Sequence, residues 1–377
     1  MIEVFRKSVL DEGAEGIGEE GQPCFDSLQE ALDYLEINPE EERYIRVHPG
    51  YYKEQVTVRV PGVVIEGADP EAVKETVITF GLGAREILSD GMKRGTFRTY
   101  TFFVDANDVT LRGLTIENSA GPGNEVGQAL ALYADGDRMI VDSCRLLGWQ
   151  DTLFTAPLPE AEVESRGFIG PKEYAPREKR RQYYKNCYIE GEVDFIFGGA
   201  TAYFSHCVIF SKNVDKEIKG YVTAPSTPKD VKYGYVMEDC RFCSNCPDQS
   251  VFLGRPWREY GKTVLISCQI GPHIKAEGWN DWGKEKAHET SFFAEYGCKG
   301  PGARREGRVD WSHELTEEDL KDYTREAVLA GGDGWDCRGA DCGDVPVRRG
   351  AWAEAPWHDS QDPIQLYDLQ RDLWRGG

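Results

Sequence analysis

From Tyr44 onward the chain is written in short runs in which β-branched and aromatic residues alternate with polar ones, each run closed by Gly, Asn or Asp. Tyr44-Ile-Arg-Val-His48, Val56-Thr-Val-Arg-Val60, Val63-Val-Ile-Glu-Gly67, Phe102-Phe-Val-Asp105 and Val109-Thr-Leu-Arg-Gly-Leu-Thr-Ile-Glu-Asn118 are the clearest. Alternation with period two predicts half-buried strands, and turn residues at the ends predict tight corners. No long helical period separates the runs, which excludes a doubly wound α/β sheet and leaves a sandwich, a barrel or a β-helix. Before this region, residues 26–36 carry Leu28, Ala31, Leu32 and Leu35 at helical spacing behind Asp26-Ser27, so a short amphipathic helix is expected within 24–36. It lies where a solenoid must cover its open first coil. After the region, Thr316-Glu-Glu-Asp319 reads as a capping box that opens a helix to about Ala330. The remaining tail, rich in Gly, Asp and Trp, shows no repeat and is expected to pack along the solenoid or cap its end.

A repeat decides among the three architectures. One phrase, Asp-Ser-Cys144-Arg-Leu-Leu-Gly148-Trp-Gln-Asp151, returns as Lys-Asn-Cys187-Tyr-Ile-Glu-Gly191-Glu-Val-Asp194. Cysteines in the same setting follow in Ser-His-Cys207, Glu-Asp-Cys240 and Ile-Ser-Cys268, and Gly113 is expected to hold that place one coil earlier. Coils of about 20 to 22 residues, lengthened in places by loops, are what a parallel β-helix requires. Its cysteines would form an inward stack, because free Cys behaves as a small buried hydrophobe. The expected organisation is one all-β unit over 1–377, with a cap helix at 24–36, coils at 44–311 and a helix and tail at 312–377. An excursion at 155–181, holding Pro157, Pro159, Pro171 and Pro176 and ending in Arg177-Glu-Lys-Arg-Arg181, interrupts the coils. It lies between the two aspartates in sequence and is expected to leave the solenoid beside them as a wall of a cleft.

Composition narrows the partners. With 65 acidic and 44 basic residues the formal charge is −21, which disfavours nucleic acid and anionic membrane surfaces. No apolar run is long enough to span a bilayer. The N-terminal Met-Ile-Glu-Val-Phe-Arg-Lys-Ser has no apolar h-region, and the odd count of 11 cysteines fits a reduced compartment. A cytoplasmic location is the expectation.

The chemistry gathers around the doubled phrase. On neighbouring rungs Asp151 and Asp194 would stand roughly 4.8 Å apart, a spacing that pushes two proton affinities apart and suits acid/base or nucleophilic work. Gln128 lies about one coil length before Gln150. Stacked beside the carboxylates, the two amides would suit an oxyanion, or form a structural amide ladder. Arg255 could fork onto a carboxylate and keep it ionised. Trp257, Phe154, Phe197 and Trp279 offer flat faces suited to sugar rings, or packing surface. Cys240-x-x-Cys243-x-x-Cys246 has the look of part of a metal site, but Ser250 stands where a fourth cluster cysteine belongs and Cys240 is already explained by the stack; no metal is expected. The six histidines show no ligand spacing, and no Gly-x-Ser-x-Gly is present to support a serine hydrolase.

Five motifs, in order, resemble the pectin methylesterases, carbohydrate esterase family eight: Gly50-Tyr-Tyr52-Lys-Glu54, Gln128-Ala-Leu-Ala-Leu132, Gly148-Trp-Gln-Asp-Thr-Leu153, Asp194-Phe-Ile-Phe-Gly198 and Leu253-Gly-Arg-Pro-Trp257. The resemblance implies a right-handed parallel β-helix and hydrolysis of the C6 methyl esters of galacturonate. Its partner would be a methyl-esterified galacturonan or oligogalacturonide, with no metal or organic cofactor. It implies Asp194 as nucleophile held by Arg255, Asp151 as general acid and then base, and Gln128 and Gln150 around the tetrahedral intermediate. Phe97, Phe154, Phe197, Trp257 and Trp279 would line the groove. The chain departs from the family pattern at Thr99-Tyr100-Thr101-Phe102 and in its long 155–181 excursion, both of which bear on the width and length of that groove. With no leader expected, short imported oligogalacturonides are favoured over extracellular pectin. Two alternatives stay open: a glycoside hydrolase acting on galacturonans, for which closely paired carboxylates also serve, and a non-catalytic carbohydrate-binding β-helix.

Overall fold

The computed structural model describes residues 1–6 and 23–337. Its strands form three sheets of 12, 8 and 7 strands. All strand pairs within them are parallel, and successive strands pass from the first sheet to the second to the third and back. One coil is Met139–Asp142, Arg145–Leu147 and Leu153–Thr155; the next is Arg181–Lys185, Tyr188–Gly191 and Val193–Gly198. This is a parallel β-helix, with the alternate apolar side chains of all three sheets meeting in one interior core.

The corner between the first and second sheets explains the repeated phrase. Where the phrase repeats it is two residues long, and its first residue takes a left-handed conformation: Ser143 (φ 55°), Asn186 (φ 55°), His206 (φ 54°), Asp239 (φ 50°) and Ser267 (φ 55°). Short polar side chains tolerate that region best. The next residue turns inward, so Cys144, Cys187, Cys207, Cys240 and Cys268 are all 0% exposed. Their thiols lie against backbone carbonyls, as Cys207 Sγ does 3.4 Å from the Ser205 oxygen. Gly113 does not hold the cysteine place. Thr115 pairs with Arg145, so Leu114 aligns with Cys144, and Gly113 (φ 63°) is the left-handed corner residue one step before it. At the other end Gly297 (φ 61°) repeats the corner and Cys298 extends the column by one rung.

Coil length varies more than the repeat suggests. Partners in the first sheet are 20 residues apart at Tyr44–Val64 and Arg181–Thr201, but 46 apart at Val64–Thr110 and 43 at Met139–Gln182. Most of the added residues leave at the two corners flanking the third sheet, and in the coil of Val64 the first corner is lengthened as well, by residues 68–75 between Gly67 and Thr76.

The cap helix spans Leu28–Ile37 and buries Leu28, Ala31, Leu32 and Leu35. Ser27 is its N-cap. Glu54, last residue of the Gly50-Tyr-Tyr52-Lys-Glu54 motif, accepts from Ser27 Oγ (2.8 Å) and from the backbone N–H of Leu28 (3.0 Å) and Gln29 (3.0 Å). A carboxylate there satisfies donors that the first turn leaves orphaned. Cys24–Phe25, inside the range expected to be helical, instead pairs as a short strand with Ile2–Val4, which itself joins the first sheet.

The C-terminal helix is split. Thr316 and Asp319 do bond reciprocally, Thr316 N–H to Asp319 Oδ2 at 2.7 Å and Asp319 N–H to Thr316 Oγ1 at 3.4 Å, but they open only a 3-10 turn at Asp319–Asp322. A fresh cap at Thr324 starts Arg325–Leu329. Val328 and Leu329 pack with Tyr183 and Tyr203 on the outer face of the first sheet. The expected tail beyond Cys337 lies outside the described residues.

Candidate active site

Strand alternation builds the site on the outer face of the third sheet. Leu153 and Ile196 point into the core while Phe154 and Phe197 point out. Phe103, Tyr133, Phe154 and Phe197 stack in a column, with successive ring centroids 4.6, 4.8 and 4.9 Å apart, the spacing of the strands that carry them. Leu153 pairs with Ile196, so Asp151 and Asp194 fall in register one rung apart, and the Asp151 N–H donates to the Val193 oxygen at 3.0 Å.

Both aspartates sit where the strand is bent. Asp151 has φ 65° and Asp194 φ 51°, and the register against the following strand slips between Val193 and Ile196. Left-handed backbone and a bulge re-aim a side chain that plain alternation would direct elsewhere. Aspartate is among the few residues that accept that conformation readily.

Arg255 closes on Asp194 with two parallel bonds, Nε to Oδ1 at 2.8 Å and Nη2 to Oδ2 at 2.6 Å. Its guanidinium is clamped between two rings, 3.7 Å from the Tyr221 centroid and 3.6 Å from that of Trp282. A flat cation between two aromatic faces is held in orientation as well as in charge. Asp151 is 7% exposed and Asp194 6%. Burial raises the proton affinity of Asp194, and Arg255 opposes that rise. For Asp151 burial raises it far more, and the Asp194 charge adds to the effect. Both proton affinities are raised, Asp151's the more strongly, so Asp194 is the member of the pair that gives up its proton first.

The cavity around them is about 380 Å³, with Gln128 and Gln150 on its wall beside Asp151. Gly123 is pressed so closely on Gln150 that a Cβ there would lie 2.5 Å from its Oε1. Glu192, fully buried, fixes that contact by accepting the Gly123 N–H at 2.6 Å. Lys284 donates to the Pro256 oxygen at 2.6 Å and lies over Trp282, tying together the two loops that carry Arg255 and Trp282. Burial pulls its ammonium down to about 8.

Of the ten site residues expected from sequence, Gln128, Gln150, Asp151, Asp194, Arg255, Phe97, Phe197 and Trp257 border this cavity. Phe154 does not; it is 0% exposed, covered by Phe97 and Phe197. Trp279 does not either. It pairs with Gly254 at an isolated bridge and points into the solenoid, 4.7 Å from the Phe293 ring. Its place at the cavity is taken by Trp282, three residues on. Phe168, Arg258 and Lys284 also border the cavity and had no sequence signal beyond their nearness to the motifs. Cys240 and Cys246 face the interior core while Cys243 packs outside with Tyr188 and Phe210, since neighbouring strand positions face opposite ways.

A family described as Pectinesterase matches residues 16–158 and 174–333. The chain belongs to the pectinesterase family. Its members are carboxylic ester hydrolases, and hydrolysis of pectin methyl esters is the activity that membership assigns. Among curated relatives, Pectinesterase 31 of Arabidopsis thaliana is 33% identical over 320 residues, covering 83% of this chain and 91% of the relative. The pectinesterase of Petunia integrifolia is 28% identical over 329 residues, covering 84% and 79%. Among solved structures, pectin methylesterase PemA from Erwinia chrysanthemi superposes with a TM-score of 0.67 at 26% identity, covering 89% of this chain and 97% of that one. The pectin methylesterase from carrot gives 0.69 at 26%, covering 88% and 93%.

Proposed function

We propose that this pectinesterase cleaves the C6 methyl ester of galacturonate residues with Asp194 as nucleophile and Asp151 as the proton-carrying partner. The observation that carries the reading is the bidentate Arg255 fork on Asp194 beside a second carboxyl group whose proton affinity burial raises. An Asp194 oxygen attacks the ester carbonyl carbon. The oxyanion that forms takes hydrogen bonds from the side-chain amides of Gln128 and Gln150. Collapse of the tetrahedral centre expels methoxide, which takes the Asp151 proton and leaves as methanol, with the acyl group on Asp194 as an anhydride. Asp151, now a carboxylate, draws a proton from water as the water oxygen attacks the acyl carbon. Collapse frees the galacturonate acid and restores the Asp194 carboxylate and the Asp151 acid.

A related pectin methylesterase, 27% identical, has been solved in complex with a hexasaccharide, which supports an oligosaccharide as the ligand of this cavity. The test is methanol release from methylated galacturonan alongside an assay for new reducing ends. Methanol without reducing ends supports the esterase, and new reducing ends would favour a glycoside hydrolase. Methanol release by Asp194→Asn at the parent rate would remove the nucleophile assignment. A reducing, cytoplasmic setting is part of the same proposal, supported by the ten described cysteines all carrying free thiols; recovery of the native enzyme outside the cell would overturn it.

A further inference from the structure

The expected wall of the cleft is also a roof. The excursion leaves the third sheet after Thr155, at the C-terminal edge of its strands. Phe97 lies on the 81–101 loop, which enters the same sheet from the opposite edge. The two meet above the sheet: Phe168 lies 6.0 Å from the Phe97 ring, and Gly170 packs so tightly that a Cβ would come within 2.7 Å of Phe97 Cβ. Phe168 also reaches the Trp257 ring at 6.3 Å, and Arg258 donates to the Ala161 oxygen at 3.2 Å.

Beneath this bridge Phe103 is 2% exposed, and Tyr133 and Phe154 are fully buried. An aromatic ring can carry a sugar only through a face that solvent can reach, so none of these three rings is a platform; the ring on that side that keeps partial exposure is Tyr100, packed 5.2 Å from Phe103 and 6.3 Å from Tyr133. The roof is braced. Lys172 pairs with Asp105, Arg180 Nε binds Asp135 at 2.8 Å, and the Arg177 guanidinium donates to the carbonyls of Lys172 (2.8 Å), Glu173 (2.8 Å) and Ala175 (2.7 Å). The family match passes over residues 159–173, the span that holds Phe168 and Gly170. The cavity left open is near the small end of the range for ligand sites.

We propose that the excursion blocks the site on the N-terminal side of the solenoid, so that it accepts the end of a short methylated oligogalacturonide and not the interior of a long chain. This rests on the methyl-ester reading above. The experiment compares methanol release per ester from fully methylated hexagalacturonate and from highly methylated long-chain pectin. Tandem mass spectrometry then locates the first ester lost from the hexamer. The hexamer is expected to react at least about tenfold faster, the cost of a chain that cannot seat, with the first loss confined to the residues at one end. Phe168→Ala, which thins the roof, is expected to spread that loss to interior residues. Equal rates on the two substrates, or random positions of first loss by the parent enzyme, would overturn the proposal while leaving the esterase intact. Absence of methanol from both substrates would overturn the esterase reading, and this one with it.

Discussion

Replacing Arg255 by Met keeps much of the volume between Tyr221 and Trp282 but removes both hydrogen bonds to Asp194. The two side chains are 14% and 9% exposed, so solvent cannot substitute for the lost partner. Two charge-assisted bonds are worth about 3 to 6 kcal/mol together if Asp194 stays ionised, and breaking a buried ion pair costs about 3 to 5 kcal/mol. A carboxyl group escapes that cost by taking up a proton. At about 1.4 kcal/mol per pKa unit, the lost pairing corresponds to a rise of roughly two units or more in Asp194. The direction follows from the folded protein, where burial already raises Asp194 and Arg255 is the first opposing cause. In the proposed mechanism the nucleophile is the ionised form, so the acid limb of the pH–rate profile should move to higher pH by about that much. Methanol release measured across pH 4–9 for the parent, Arg255→Met and Arg255→Lys reads this directly. Lysine restores charge without the flat fork and should recover only part of the shift. An acid limb in Arg255→Met that coincides with the parent's would refute the claim that Arg255 keeps Asp194 ionised.

Three further outcomes follow from particular contacts. Asp151 holds its proton far above the usual carboxylate range in the folded state, so the folded protein binds more protons than the unfolded chain once pH exceeds about 4 and stability from this group falls as pH rises. Asp151→Asn should therefore melt with the parent near pH 4 and above it at pH 7; identical melting curves at pH 7 would contradict the burial argument. Lys284, itself pulled down to about 8 by burial, is among the charges that lower the proton affinity of Asp194, so Lys284→Met should move the acid limb of methanol release to higher pH while Lys284→Arg leaves it near the parent's. An acid limb unchanged in Lys284→Met would remove Lys284 from the groups that hold Asp194 ionised. Glu54→Ala strips the cap from three donors at the start of the Leu28–Ile37 helix and should cost about 1 to 3 kcal/mol in denaturant unfolding, with kcat unaffected.

The coils were legible because the interior imposes one rule on every turn. A left-handed residue followed by a small buried one is chemically narrow, and Ser143-Cys144, Asn186-Cys187 and Asp239-Cys240 all obey it. The same narrowness misled at Gly113, which satisfies the corner's demand for φ above zero and not the core's demand for an inward side chain. The aspartates and amides were readable because their offsets follow the rung, and Arg255 because a guanidinium has a carboxylate as its natural partner. The aromatic residues were not, since a ring serves equally as platform or packing. Phe154 became packing because Phe97 and Phe197 lie over it, and Trp279 because its bridge to Gly254 turned it inward, leaving the cavity to Trp282. The split after Asp322 was hidden for a similar reason. Thr316 and Thr324 are both good caps, and only packing on Tyr183 and Tyr203 selects where a helix can lie.

The cysteine column gives the molecule a graduated scale along its own axis. Each rung from Cys144 to Cys268 holds a column thiol that is sealed from solvent, the rung of Cys240 carrying buried Cys243 and Cys246 as well, while Cys298, at the C-terminal end, is partly open. A solenoid can open rung by rung from its ends, and a thiol becomes reactive only when its own rung does. The order in which these cysteines are alkylated under mild denaturant is therefore a direct record of the order in which the coils come apart. The rung of Cys187, beside Asp194, marks on that scale how much of the protein must open before the pairing of Asp194 with Arg255 is lost.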